Sequence, residues 1–261
     1  MARSIVIASG KGGVGKTTLA INLSVLLSQA GKRTVLVDAD TAMANIGIML
    51  GIERAPINLH NVLMGEASIR DAVYEGPNKL KYVPSGLSAE KVKKLDFARL
   101  ADAITELSAN ADFVIIDSPP GLDNNCEAII KSAKEVLLLS TPEPASLADA
   151  LKVKNYVERS GLKIAGLVIN RVLHDPAEIK REDVETLLGS KLLGEIPEDI
   201  EVRRATALQI PVILKSPGSP ASIAMKKLAS EIAGTPLPSE ATGVKKGFLQ
   251  TIIELIFGKK S

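Results

Sequence analysis

Tryptophan is absent from this chain of 261 residues, cysteine occurs once, and aromatic residues make up only 3% of it. A single cysteine, Cys126, rules out an intramolecular disulfide and any cysteine cluster for zinc or iron and sulfur within one chain. It reads as a small buried or incidental thiol. With so few rings and 46% hydrophobic residues, aliphatic side chains have to fill the interior, as they do where helices cover both faces of a parallel sheet. An excess of one charge sign is also lacking. The formal net charge of +2 is too small to imply a nucleic-acid partner on its own. No apolar run approaches the ~20 residues that a membrane-spanning helix needs. The opening Met-Ala-Arg-Ser-Ile-Val leads straight into an expected strand, without the basic region and roughly 7–15-residue apolar stretch of a secretory signal. A cytoplasmic location is expected.

What the chain has is alternation. Short β-branched runs exchange with longer stretches of helical periodicity, the signature of βαβ units around a parallel sheet. Strands are expected at 4–8, 33–37, 81–83, 112–116, 135–140, 163–169 and 192–196. Helices are expected at 16–29, 97–109, 124–132, 145–159, 178–188 and 220–233. In the first, Leu19, Leu23, Leu26 and Leu27 supply the apolar positions, and Gly31 closes it. Residues 1–233 thus form one doubly wound, mostly parallel α/β domain. Residues 234–244, rich in proline, glycine and small polar residues, read as a flexible linker. Residues 245–261 form a separate element.

Gly10-Lys11-Gly12-Gly13-Val14-Gly15-Lys16-Thr17 matches the phosphate-loop pattern G-x-x-x-x-G-K-[ST] without a gap. Glycines let successive backbone N–H groups turn inward and approach phosphate oxygens. The helix starting near Lys16 adds its positive end. Lys16 is expected on the β- and γ-phosphates, and the Thr17 hydroxyl on Mg²⁺. ATP and Mg²⁺ are the expected cofactors, with Gly10 to Thr18 as the phosphate cradle. Lys11 places a second ammonium in the same loop.

Two strand ends supply carboxylates. Asp38 and Asp40 follow the apolar run 35–37, at the edge where ligands bind in open α/β sheets. A carboxylate there can orient an attacking water or sit in the magnesium shell. The run 114–116 ends in Asp117, the expected partner of metal-bound water. Gly121 frees the next loop to respond to the γ-phosphate.

The C-terminal element has its own pattern. Phe248, Leu249, Ile252, Ile253, Ile256 and Phe257 recur at three-to-four-residue steps along one helical face. Lys245, Lys246, Lys259 and Lys260 bracket it. It is too short to cross a bilayer and suited to lie among anionic headgroups, binding weakly as a single copy. Two copies in a dimer bind far more tightly.

Taken together, KGGVGKTT at 11–18, VDADTAMANI at 37–46, VIIDSPPG at 114–121, LVINR at 167–171, GEIPEDIEVRRA at 194–205 and the tail resemble the MinD/ParA family of deviant Walker A P-loop ATPases, on its archaeal MinD side. The resemblance covers essentially the whole chain. It implies a doubly wound P-loop fold, slow partner-stimulated ATP hydrolysis, and an ATP-dependent homodimer in which Lys11 reaches the partner's nucleotide. Lys11, Lys16 and Asp40 become the catalytic set, Asp40 positioning the water. Asp38 joins Thr17 and Asp117 around the metal. Asn45 falls in the first switch segment, Asn170 meets the adenine, and Pro197, Glu198 and Asp199 pack around the base. The tail resembles a reversible membrane-targeting helix, and the implied role is to position the division site or another structure through an unidentified cargo or activator.

Other readings differ in what they require. A DNA-partitioning ATPase of ParA type needs a basic surface. Lys91, Lys93 and Lys94 cluster, as do Arg203 and Arg204, but each reads as an ordinary solvated face. No nucleic-acid partner is expected. An iron–sulfur carrier of the same fold would gather only two cysteines per dimer. A nucleotide-dependent scaffold without hydrolysis shares every motif.

Overall fold

The computed structural model describes residues 2–52, 55–86, 95–176 and 178–237. One sheet holds β1 (Arg3–Ala8), β2 (Thr34–Asp38), β3 (Tyr74–Glu75), β4 (Lys81–Val83), β5 (Phe113–Asp117), β6 (Glu135–Ser140), β7 (Lys163–Val172) and β8 (Leu192–Pro197). Their order is β3-β4-β2-β5-β1-β6-β7-β8. Every pairing is parallel except β3 with β4. From β1 the chain first builds one side of the sheet and later the other. The C-terminal end of β1 is therefore the switch point, where a doubly wound sheet opens a crevice for ligands.

Alternation along each strand feeds two cores. Ile5 and Ile7 face a layer made by α1 (Lys16–Gln29) and, later in the chain, α10 (Pro220–Ala233). Val6 and Ala8 face the opposite layer, with α4 (Ala98–Ser108), α5 (Asn124–Ser132) and α6 (Pro144–Arg159). Both faces are covered, so the strands read as continuous apolar runs. Helix α1 is apolar around most of its circumference because the sheet lies on one side and α10 on the other.

Among the described residues the remaining α-helices are α2 (Ile46–Met49), α3 (Leu59–Leu63), α7 (Arg181–Leu188), α8 (Ile200–Ala207) and α9 (Val212–Lys215). Four of these, together with β3, have no counterpart in the sequence reading; each is too short for a periodic signal to develop. Helix α7 starts at Arg181 instead of 178, since Glu178 turns back to accept the Leu173 N–H.

Two strand boundaries bear on function. β2 and β5 each shift one residue and take in Asp38 and Asp117 as their last members. β7 continues to Val172, because its pairing with β8 resumes past a register shift at Arg171, whose φ is +61°. Asn170 therefore lies within a strand and not at its end. The expected helix 245–261, most of the linker, and the Lys91, Lys93 and Lys94 cluster lie outside the described residues.

Candidate functional site

Helix α1 begins directly after Gly15, with no side-chain cap and no acidic residue in its first turn. Its leading N–H groups are left for an external anion. Gly15 has φ +100°, and a Cβ there would overlap the Asn170 amide. That amide Nδ2 donates to the Val14 carbonyl at 2.7 Å, tying β7 to the loop. Asn22, further along α1, accepts the Ile213 N–H and anchors α9 behind it.

The two loop lysines differ in burial. Lys16 is buried, and its Nζ donates to Ser9 Oγ at 2.8 Å, while that hydroxyl donates to the Lys11 carbonyl at 2.8 Å. Burial lowers the Lys16 pKa, and the charges of Asp117 and Asp40 oppose that fall. Lys11 is exposed and makes no ion pair among the described residues.

Strand pairing, invisible in the sequence, sets Asp38 in register with Asp117, with their backbones about 4.8 Å apart. Asp117 Oδ2 accepts the Thr17 hydroxyl at 2.6 Å, and Asp38 Oδ2 accepts the Ile46 N–H at 3.2 Å. The second oxygen of each is buried without a partner. Burial pushes the Asp117 carboxyl up to about 7. It raises Asp38 well above the usual range, and the neighbouring Asp117 charge raises it further. Asp40 is less buried and accepts the Met43 N–H at 3.0 Å. Burial raises its pKa too, and the nearby Lys16 charge opposes the rise.

Two unpartnered carboxylate oxygens beside a threonine hydroxyl form a donor set for a hard divalent cation. Among the described residues no group of three or more His, Cys, Asp or Glu could hold a metal ion. The two carboxylates and the threonine hydroxyl fit Mg²⁺, which rests on one or two carboxylates together with phosphate oxygens.

The loop after β5 is pinned to this centre. Ser118 Oγ donates to the Ile7 carbonyl and the Gly121 N–H donates to the Ser9 carbonyl, both at 2.9 Å. Cys126 is fully buried, and its thiol donates to the Gly121 carbonyl at 3.0 Å. Burial pushes that thiol up to about 12, so it stays protonated and keeps donating. Sequence reasoning passed over Ser9 and took Cys126 as a small buried or incidental thiol; it is buried, and its bond to Gly121 was not foreseen. The only local signal was a cysteine five residues past Gly121.

On the other flank, Asn170, Pro197, Glu198 and Asp199 line one cleft of about 60 Å³ with Gly15, Thr18 and Arg203. This is far below the ~300 Å³ of a typical ligand pocket, so a purine requires the cleft to widen. The Asp199 carboxylate is engaged elsewhere, accepting the Glu201 N–H of α8 and the Ala221 N–H of α10. Glu198 faces Arg171 at 3.8 Å. Arg204 is held by Glu201 at 2.6 Å, which leaves little of a basic patch beside Arg203.

The family model of the CobQ/CobB/MinD/ParA nucleotide binding domain matches residues 5–212. The chain belongs to this family. An uncharacterised ATP-binding protein of Methanocaldococcus jannaschii is 43% identical over 233 residues, 89% of each chain. Among solved structures, the cell division ATPase MinD of Pyrococcus furiosus superposes with a TM-score of 0.86 at 38% identity, covering 90% of this chain and 99% of that one. The septum site-determining protein MinD of Pyrococcus horikoshii, complexed with Mg-ADP, gives 0.85 at 37% identity, covering 89% and 96%. This chain is accordingly a P-loop ATPase of the MinD/ParA family, with ATP and Mg²⁺ as its cofactors.

Proposed function

We propose that this ATPase is a nucleotide-timed dimer that positions the division site or another cellular structure, attaching reversibly to the membrane through its tail. One observation carries the reading: Lys16 is buried and bonded within its own loop, while Lys11 is exposed and forms no ion pair among the described residues. A second ammonium facing outward beside a phosphate cradle has a ready counterion in the nucleotide of another copy. Each copy then supplies one lysine to its own phosphates and one to its partner's.

In this account Gly10 to Thr18 hold the phosphates, with Lys16 on the β- and γ-positions. Thr17, Asp38 and Asp117 hold Mg²⁺, which neutralises phosphate charge and polarises the phosphoryl oxygens when bound. Asp40, partly accessible and near Lys16, orients the attacking water. Asn170 exchanges its bond to Val14 for one to the adenine, with Pro197, Glu198 and Asp199 around the ring. The relatives' part in cell division supports the positioning role.

Residues 245–261, following the linker 234–244, supply the membrane element through Phe248, Leu249, Ile252, Ile253, Ile256 and Phe257. Each lysine near anionic lipid contributes ~1 kcal/mol, so a single tail holds weakly and a dimer's two tails hold together. Among the described residues no helix is long and apolar enough to cross a membrane. The test is co-sedimentation with anionic vesicles of the full chain and of a chain ending at Gly243, each with ATP and with ADP. Only the full chain should pellet, and more strongly with ATP. Equal pelleting of both chains would remove the tail from the mechanism.

A further inference from the structure

The described chain leaves the domain at the end of the sheet opposite the phosphate loop. Arg3, at the start of β1, donates to the Ile232 carbonyl in the last turn of α10. The Leu237 N–H then donates to Ser230 Oγ at 3.2 Å, keeping residue 237 beside that helix. The last described residue, Leu237, thus lies near the edge where the parallel strands start.

That edge is cationic in a specific way. Its acids are largely matched: Glu135 by Arg3 at 2.8 Å and Lys163 at 3.4 Å, Asp112 by Arg33 at 2.8 Å, and Glu106 by Arg70 at 2.6 Å. Lys79, Lys81 and Lys134 are exposed and form no ion pair among the described residues. Glu75, across from Lys81 in the β3–β4 register, and Glu231, in the last turn of α10, are acids there without an ion pair among the described residues. Lys79 and Lys81 flank an open cleft of about 610 Å³, which also takes in Lys32. The turn before β4 sets Asn78 and Lys79 both in the left-handed region, at φ +53° and +60°. Two successive non-glycine residues held there cost energy that an ordinary connection avoids.

We propose that this strand-start edge is a second lipid-facing surface, on which Lys79, Lys81 and Lys134 meet anionic headgroups while the tail inserts beside them. The inference rests on the reading of the tail as a membrane element. Charge complementarity selects an anionic surface, and the described chain ends beside this edge at Leu237. The edge fixes the orientation of the domain on the membrane, which a tail on a flexible linker cannot do alone.

The experiment uses the full chain carrying Asp40→Ala to slow turnover, with ATP. Vesicles are phosphatidylcholine with or without about one-third phosphatidylglycerol. The Lys79→Gln/Lys81→Gln/Lys134→Gln variant should bind anionic vesicles roughly tenfold to a hundredfold more weakly. A control with Lys152, Lys180 and Lys227 changed to Gln alters net charge equally and should bind as the parent does. If the parent binds and the edge variant matches it, or if the control loses as much, the edge proposal falls and the tail reading stands. If the parent itself ignores anionic vesicles, the tail reading falls first. Loss of duplex-DNA binding with vesicle binding intact would make this a nucleic-acid surface and overturn the lipid assignment. Melting temperature should not change, and the same three substitutions in a chain with Asp40 intact should leave basal turnover unchanged, since the three lysines are exposed and at the far end of the sheet.

Discussion

Replacing Asp117 with asparagine should stabilise the nucleotide-free protein at pH 8 while abolishing ATP hydrolysis. The carboxyl is buried, and burial raises its pKa from 3.8 to about 7. A folded-state pKa above the unfolded one means that the group favours folding while protonated. That contribution is complete below about pH 4 and lost as pH rises through 7. Three units at 1.36 kcal/mol each set a ceiling of ~4 kcal/mol for the cost of ionising Asp117 in the empty site. The groups facing it set the actual size. Asp38 on β2 and Asp40 add negative charge, whereas Lys16 and the Thr17 hydroxyl favour the anion. Asparagine retains an acceptor for Thr17 and carries no charge, so a net gain of about 2 kcal/mol at pH 8 is expected, shrinking toward zero near pH 4. For a domain of this size this is a rise in melting temperature of about 4–8 °C. Thermal melts of both proteins without nucleotide, in steps from pH 4 to 8, measure it. A variant less stable than the parent at pH 8, or a difference that does not depend on pH, would refute the reasoning.

Further outcomes follow from the same contacts. Cys126→Val should remove the thiol's bond to Gly121 and lower kcat about 2- to 12-fold, the span of one ordinary hydrogen bond, with KM for ATP little changed; Cys126→Ser should restore most of it, and equal rates in both variants would release Cys126 from the loop. Gly15→Ala should abolish nucleotide binding in calorimetry, because the new Cβ meets the Asn170 amide at φ +100°; binding within tenfold of the parent would show that the loop yields easily. Saturating Mg-ATP should flatten the pH dependence of melting between pH 5 and 8, since a cation beside Asp38 and Asp117 removes the penalty on their charge. An unchanged slope would place the metal elsewhere.

How much was legible depended on whether a feature is local. The strand, glycine loop and helix from Ser4 to Gln29 are contiguous, so spacing alone located them. The α/β class followed from alternation, and the end of β7 did not, because Arg171 interrupts the pattern while pairing with β8 continues. Asp38 and Asp117 were each visible as strand ends. Their adjacency arises from the order β2-β5-β1, which no local pattern encodes; burial raises both carboxyls, and the Asp117 charge adds to the rise at Asp38. Ser9 and Cys126 gained meaning only when their partners, Lys16 and Gly121, were brought to them by folding. The amphipathic tail read at 245–261 lies outside the described residues.

The most direct test is the mass of the Asp40→Ala chain with ATP bound, measured by light scattering behind size exclusion. The account expects a species of about 55 kDa, twice the 27.6 kDa chain, which reverts to monomer when Lys11→Ala is added. A chain that binds ATP and stays at 27.6 kDa, or a dimer indifferent to Lys11, would contradict it.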